Sequence, residues 1–131
     1  MKIAYLLPIA LIWSCAAHSH HSVGAQFNRD ILITFEVEVI EFQFINPHPY
    51  MMAKLTDGSD QLLTLDMDNR REFIQLNIDA DTFVPGDKLL VGVYPTYEES
   101  ATFYLAVIEH PRLGFRYETN VRQLLGLSRS N

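Results

Sequence analysis

Cysteine is nearly absent from this chain of 131 residues: Cys15 is the only one, and Trp13 the only tryptophan. A lone thiol excludes an internal disulfide and a multi-cysteine metal site, so packing must supply the stability. Basic charge is also scarce, with 10 Lys and Arg against 16 Asp and Glu, a formal charge of −6. No basic patch precedes the last residues, which makes nucleic acid an unsuitable partner. There is no glycine-rich phosphate loop, no Gly-x-Ser-x-Gly elbow and no twelve-residue calcium loop around Asp66-Met67-Asp68 or Asp79-Ala80-Asp81. Long apolar runs are missing too, apart from one.

That run opens the chain. Lys2 is followed by Ile3 to Trp13 without a charge, then by Ser14-Cys15-Ala16-Ala17. A short positive start, an apolar stretch too short to span a bilayer and small residues at its end describe a secretion signal over residues 1–17. Cleavage after Ala17, or one residue earlier, leaves a soluble periplasmic or secreted protein. If Cys15 is instead lipidated, the domain is tethered to a membrane. Cleavage after Ala17 leaves 114 residues, enough for one core. Cys15, Trp13 and Lys2 leave with the signal, so nine basic residues face sixteen acidic ones, a charge of −7.

The remainder reads as strands. Ile33, Phe35, Val37 and Val39 alternate with Thr34, Glu36 and Glu38, the period of a half-buried strand. At Val39-Ile40 the phase slips, and Ile40, Phe42 and Phe44 become the apolar set. A slip of one residue turns every later side chain to the other face unless a bulge absorbs it, so a bulge is expected there in a long, bent first strand. Asn46-Pro47-His48-Pro49 turns the chain. Strand two is expected over Tyr50 to Leu55, the Thr56-Asp57-Gly58-Ser59 hairpin follows, and strand three spans Gln61 to Leu65. Asp68 is expected to cap a short helix through Leu76, with Phe73 and Leu76 on one face. Strands four, Lys88 to Tyr94, and five, Thr102 to Glu109, complete the set. The order predicts a mainly β protein: a small five-stranded OB-like barrel with one short helix between strands three and four, spanning residues 18–112 as a single domain. An open antiparallel sheet with a helix on one face is the alternative. Residues 113–131 read as a tail, a short helix or disordered.

His20-His21-Ser22, Phe27-Asn28, Asn46-Pro47-His48 and Pro85-Gly86-Asp87 stand in an order that resembles a domain-of-unknown-function family of small secreted bacterial proteins. That family is marked by an Ala-His-His-Ser start and an Asn-Pro-His signature. The resemblance covers His20 to Pro111. Here Phe44 precedes the signature where an aromatic, often Trp, is usual, Pro49 follows His48, and Asp66 to Gln75 departs from the usual Gly- and Pro-containing stretch. The resemblance implies an extracytoplasmic setting and a small barrel, and no established activity.

All five histidines, His18, His20, His21, His48 and His110, fall at the ends of expected elements. Imidazole suits Cu, Zn and Ni. With His18 as residue one, His20 becomes residue three. The amine, two backbone amides and that imidazole then form a planar nitrogen set for Cu(II) or Ni(II). Alternatively the amine and side chain of His18 chelate together, with His21 or His48 completing a brace. The metal ligands expected are therefore His18, His20, His21 and His48, with copper as the cofactor. The competing reading makes the histidines a solvated leader, with His48 and His110 serving only their turn and strand end. In that case the barrel binds a small ligand or an envelope protein between the loops at Asn46-Pro49 and Pro95-Ser100, lined by Tyr50, Tyr94, Tyr97 and Tyr104. Glu98 and Glu99 lie in the second loop, where they face either His48 or solvent. A histidine brace also hosts copper oxidases, but with no nucleophile and no legible substrate pocket, catalysis is not expected.

Overall fold

The computed structural model describes residues 23–119, so the segment read as a signal and the stretch Val121 to Leu127 lie outside the described residues. Within them the elements run α1 (Val23–Gln26), β1 (Ile33–Gln43), β2 (Tyr50–Leu55), β3 (Leu62–Asp66), α2 (Arg70–Gln75), β4 (Lys88–Pro95), β5 (Thr102–His110) and β6 (Phe115–Glu118). The strands follow the order β3-β2-β1-β4-β5-β6, and β3 also pairs with β5. That last pairing closes five strands into a barrel; β6 is added outside the ring. All neighbours are antiparallel except β3 and β5, which run parallel through Thr64–Thr102, Leu65–Phe103 and Asp66–Tyr104.

β1 serves both sides of the ring. Its first half pairs with β4 from Ile33–Val93 to Glu38–Lys88. Its second half pairs with β2, and the register shifts between Val39 and Glu41. Ile40 is the extra residue, 40 % exposed. Val37 and Val39 are buried before it and Phe42 packs inward after it, edge-on to Phe83 at 5.1 Å. The phase slip in the sequence is thus a bulge, and it lies where β1 parts from β4. There the backbone of Val39 bonds the Pro85-Gly86-Asp87 turn twice, donating to Asp87 O at 2.8 Å and accepting from Gly86 N at 2.8 Å. Gly86 takes φ +91°, a left-handed conformation that glycine adopts without strain.

α2 lies between β3 and β4 in sequence and sets Phe73 into the core, fully buried and 4.9 Å from the ring of Tyr117. Its cap is Asn69, whose side chain accepts from Glu72 N at 3.1 Å, one residue later than expected. Asp68 accepts from Asn69 N instead. Leu76 is the C-terminal cap and 48 % exposed, so it does not share the buried face of Phe73. The other difference is at the C-terminal end. Of the stretch 113–131, read as tail, Phe115–Glu118 form β6 on β5, and Tyr117 is 3 % exposed against the core. Phe115 and Tyr117 alternate with Arg116 and Glu118, a strand pattern too short to stand out from its surroundings.

Candidate functional site

The turn that carries His48 is held by its backbone. Pro47 O accepts from Arg70 N and Pro49 O accepts from Met67 N, both at 3.1 Å, and the Asn46–Pro47 peptide is cis. Pro49 is buried, whereas His48 between the two prolines is exposed. Its imidazole makes no hydrogen bond to any described residue, so it does not serve the turn. It lies close enough to Asp66 for their charges to interact. Burial raises the Asp66 carboxyl above the usual range, and His48 pulls it part of the way back. An exposed imidazole beside a half-buried carboxyl is an open donor pair at the end of β3.

Beside it the chain enters the fold. After α1, Phe27 bridges Thr96, and Asn28 N donates to Pro95 O at 2.7 Å. The Phe27 ring packs on Tyr104 at 5.6 Å, and Tyr104 stacks on Tyr94 at 6.5 Å. With Ala106 these residues form a second small buried cluster, and Val23 packs against it. Tyr104 is the residue paired with Asp66 across the barrel seam. The anchored start of the described chain and the His48 turn therefore flank one pair, Asp66 and Tyr104.

Of the expected ligands, only His48 is among the described residues; His18, His20 and His21 lie outside them. No group of three or more His, Cys, Asp or Glu side chains among the described residues is arranged to hold a metal. The expected tyrosine-lined face is different from the sequence reading. Tyr94 and Tyr104 are buried beneath the N-terminal segment, and Tyr50 is half-buried within the sheet. Tyr97 alone is open, 63 % exposed, with its hydroxyl 3.4 Å from Gly24 O. Glu98 and Glu99 are exposed and form no ion pair with His48.

His110, the last residue of β5, is a buried anchor. It is 1 % exposed and stacks on Phe83, and its Nε2 lies 3.1 Å from Asp87 Oδ2. That approach is off the N–H direction, and neither ring nitrogen makes a well-directed hydrogen bond. Asp87 also accepts from Arg112 at 2.7 Å and from Val84 N at 3.0 Å. Burial works to raise the Asp87 carboxyl, but Val84 N–H, Arg112 and His110 together hold it below the usual carboxylate range. Asp87 was legible only as a turn residue; its charged partners, His110 and Arg112, come from the far end of β5. Elsewhere, a surface cleft of about 220 Å3 is lined by Glu36, Val37, Thr56, Lys88, Leu89, Leu90 and Pro111.

A five-stranded barrel closed by one parallel pairing, with a short helix between β3 and β4, defines a small OB-like protein. Residues 9–103 match the model of a family of unknown function, DUF6152, and the chain belongs to that family. The match begins inside the segment read as the signal and ends in β5. No curated protein and no solved structure matches the chain.

Proposed function

We propose that this protein is exported to the periplasm or beyond, and that it binds one copper ion through the histidines of its mature N-terminus, with His48 as the barrel's own ligand. The supporting observation is the convergence on Asp66 and Tyr104. Val23 and Phe27 are held against Tyr94 and Tyr104, and the exposed His48 stands beside Asp66. His20 and His21 directly precede this anchored segment, and each extended residue spans at most about 3.6 Å, so their tether is short. Nitrogen donors of this kind favour Cu(II) over other divalent ions of the first row. The role is metal carriage or buffering, without catalysis.

The test is titration of the authentic mature protein, beginning at His18, with Cu(II), followed by calorimetry and electron paramagnetic resonance. One equivalent is expected, with nitrogen hyperfine structure and affinity that falls as the donors take up protons in acid. One added N-terminal residue moves His20 out of the third position and weakens binding. His48→Ala weakens it as well if the barrel contributes. Equal affinity with and without the extension refutes the reading. The cleft lined by Glu36, Thr56 and Lys88 favours a second reading, a small-ligand barrel with no metal, which that result would leave in place.

A further inference from the structure

β6 is the outermost strand of the sheet, paired on one side with β5. An antiparallel ladder alternates: one residue exchanges both of its backbone bonds with the residue opposite, and the next turns its own away. Thr119 N donates to Ala106 O at 2.8 Å, which fixes the phase. Tyr117 and Phe115, two and four residues back, face Ile108 and His110 in the same way. The backbone N–H and C=O of Arg116 and Glu118 therefore point outward, and no described residue takes them up. A strand edge of this kind is a template for another strand.

The side chains select which strand fits. Arg116 and Glu118 are exposed and flank the buried Tyr117 in sequence. Arg116 pairs with Glu109 on β5 and, at 3.2 Å, with Glu118. A second β6 brought up antiparallel about a two-fold axis must set its own outward residues against these. Three registers near the middle of the strand keep that phase. One sets Arg116 against its copy and one sets Glu118 against its copy; both oppose like charges, which destabilises a strand pair. The third passes the axis through Tyr117. Arg116 of each copy then faces Glu118 of the other, and the outward N–H and C=O groups of both residues are all bonded. A row of alternating charge, Glu109, Arg116 and the other copy's Glu118, crosses the join. Charge on an edge ordinarily blunts it; here two charges of opposite sign guard against the other two registers and admit this one.

We propose that β6 is the interface of a homodimer: two copies of this chain join edge to edge through Phe115–Glu118, with Arg116 and Glu118 as reciprocal partners about an axis at Tyr117. The contact is isologous, so it closes at two copies and leaves neither β6 edge open to a third. Four residues a side bury little surface, so the dimer is weak and depends on concentration. It uses none of the histidines and stands apart from the copper reading.

Sedimentation equilibrium of the purified protein, from micromolar to millimolar concentration, tests the interface. The mean mass is expected to rise towards twice that of one chain. In hydrogen exchange, the amides of Arg116 and Glu118 are expected to gain protection with concentration, while those of Phe115 and Tyr117, already bonded to β5, are unchanged. Arg116→Glu and Glu118→Arg each oppose like charges in the chosen register, so each is expected to stay monomeric where the parent pairs. Mixed in equal amounts they bring an acidic edge against a basic one, and dimers are expected to return, a recovery that misfolding of either variant does not give. The proposal is overturned if the parent is monomeric throughout, if either variant dimerises like the parent, or if the two fail to pair when mixed. Amides of Arg116 and Glu118 that are protected at the lowest concentration also overturn it, since another segment of the same chain would then cover the edge.

Discussion

Replacing Asp87 with alanine isolates the polar anchor of the barrel. The side chain is 5 % exposed and accepts from Val84 N–H and Arg112, while His110 Nε2 stands 3.1 Å away. Arg112 is 61 % exposed, so losing its pair contributes only about 0–1 kcal/mol. The larger loss is in what stays behind, the Val84 N–H without its acceptor and a buried imidazole without the carboxylate beside it, at about 1–3 kcal/mol. Together these give about 3 kcal/mol for Asp87→Ala. Asp87→Asn keeps an oxygen of the same shape and should lose about 1 kcal/mol. The native carboxyl is held below its ordinary value, so its stabilisation is complete above about pH 3.9, the unfolded value. It is lost as pH falls through the lower folded value. Urea unfolding followed by far-ultraviolet circular dichroism at neutral pH and in acid measures both effects. The gap between parent and Asp87→Ala should be wide at neutral pH and narrow in acid. A loss under about 1 kcal/mol, or equal losses for alanine and asparagine, would refute the assignment of Asp87 as a charged acceptor.

Two further perturbations test the packing and the acid pair. Phe73→Ala, at a fully buried ring, should cost about 3–5 kcal/mol, and Phe35→Ala, half-buried edge-on to Phe103, about half as much; denaturant midpoints compare the two. Burial first, then the hydrogen bond and charge of Asp68, push Glu72 from its ordinary 4.5 up to about 7. A raised carboxyl favours the protonated fold, so its stabilisation is lost as pH rises between those values. Glu72→Gln should therefore melt above the parent on the alkaline side of about pH 7 and alongside it below 4.5.

The barrel was legible because its strands carry strong local signals. The bulge could be read from one displaced apolar residue, since a two-residue period admits no other way of keeping Val37 and Phe42 inside. Tyr50–Leu55 is bounded by proline and by Asp-Gly, and its limits were readable without tertiary information. The misreadings come from interactions between distant segments. Asp68 and Asn69 are both good caps, and which of them accepts from α2 depends on how the chain leaves β3. β6 gains its meaning only from lying against His110 to Val107. Tyr94 and Tyr104 alternate like rim residues, and nothing local announces that Phe27, far upstream, covers them. The N-terminal histidines were visible by composition alone; where the barrel presents His48 was not.

The parallel seam has a consequence for how the molecule forms. Every antiparallel neighbour within the ring except β1 and β4 joins strands that are consecutive in the chain, so those contacts assemble from short loops. Thr64 to Asp66 meet Thr102 to Tyr104 only after α2, the following loop and β4 are in place. Closing the loop costs more for such a pairing than for the hairpin pairs of the ring, and proteins that depend on distant contacts fold more slowly than those built on local ones. The seam is also short, three paired residues against six in the pairings of β1 with either neighbour. Short ladders are where native proteins open first. In hydrogen exchange, the amides of Thr64 to Asp66 and Thr102 to Tyr104 should therefore exchange ahead of those of β1, β2 and β4, the seam being the line along which the ring opens first.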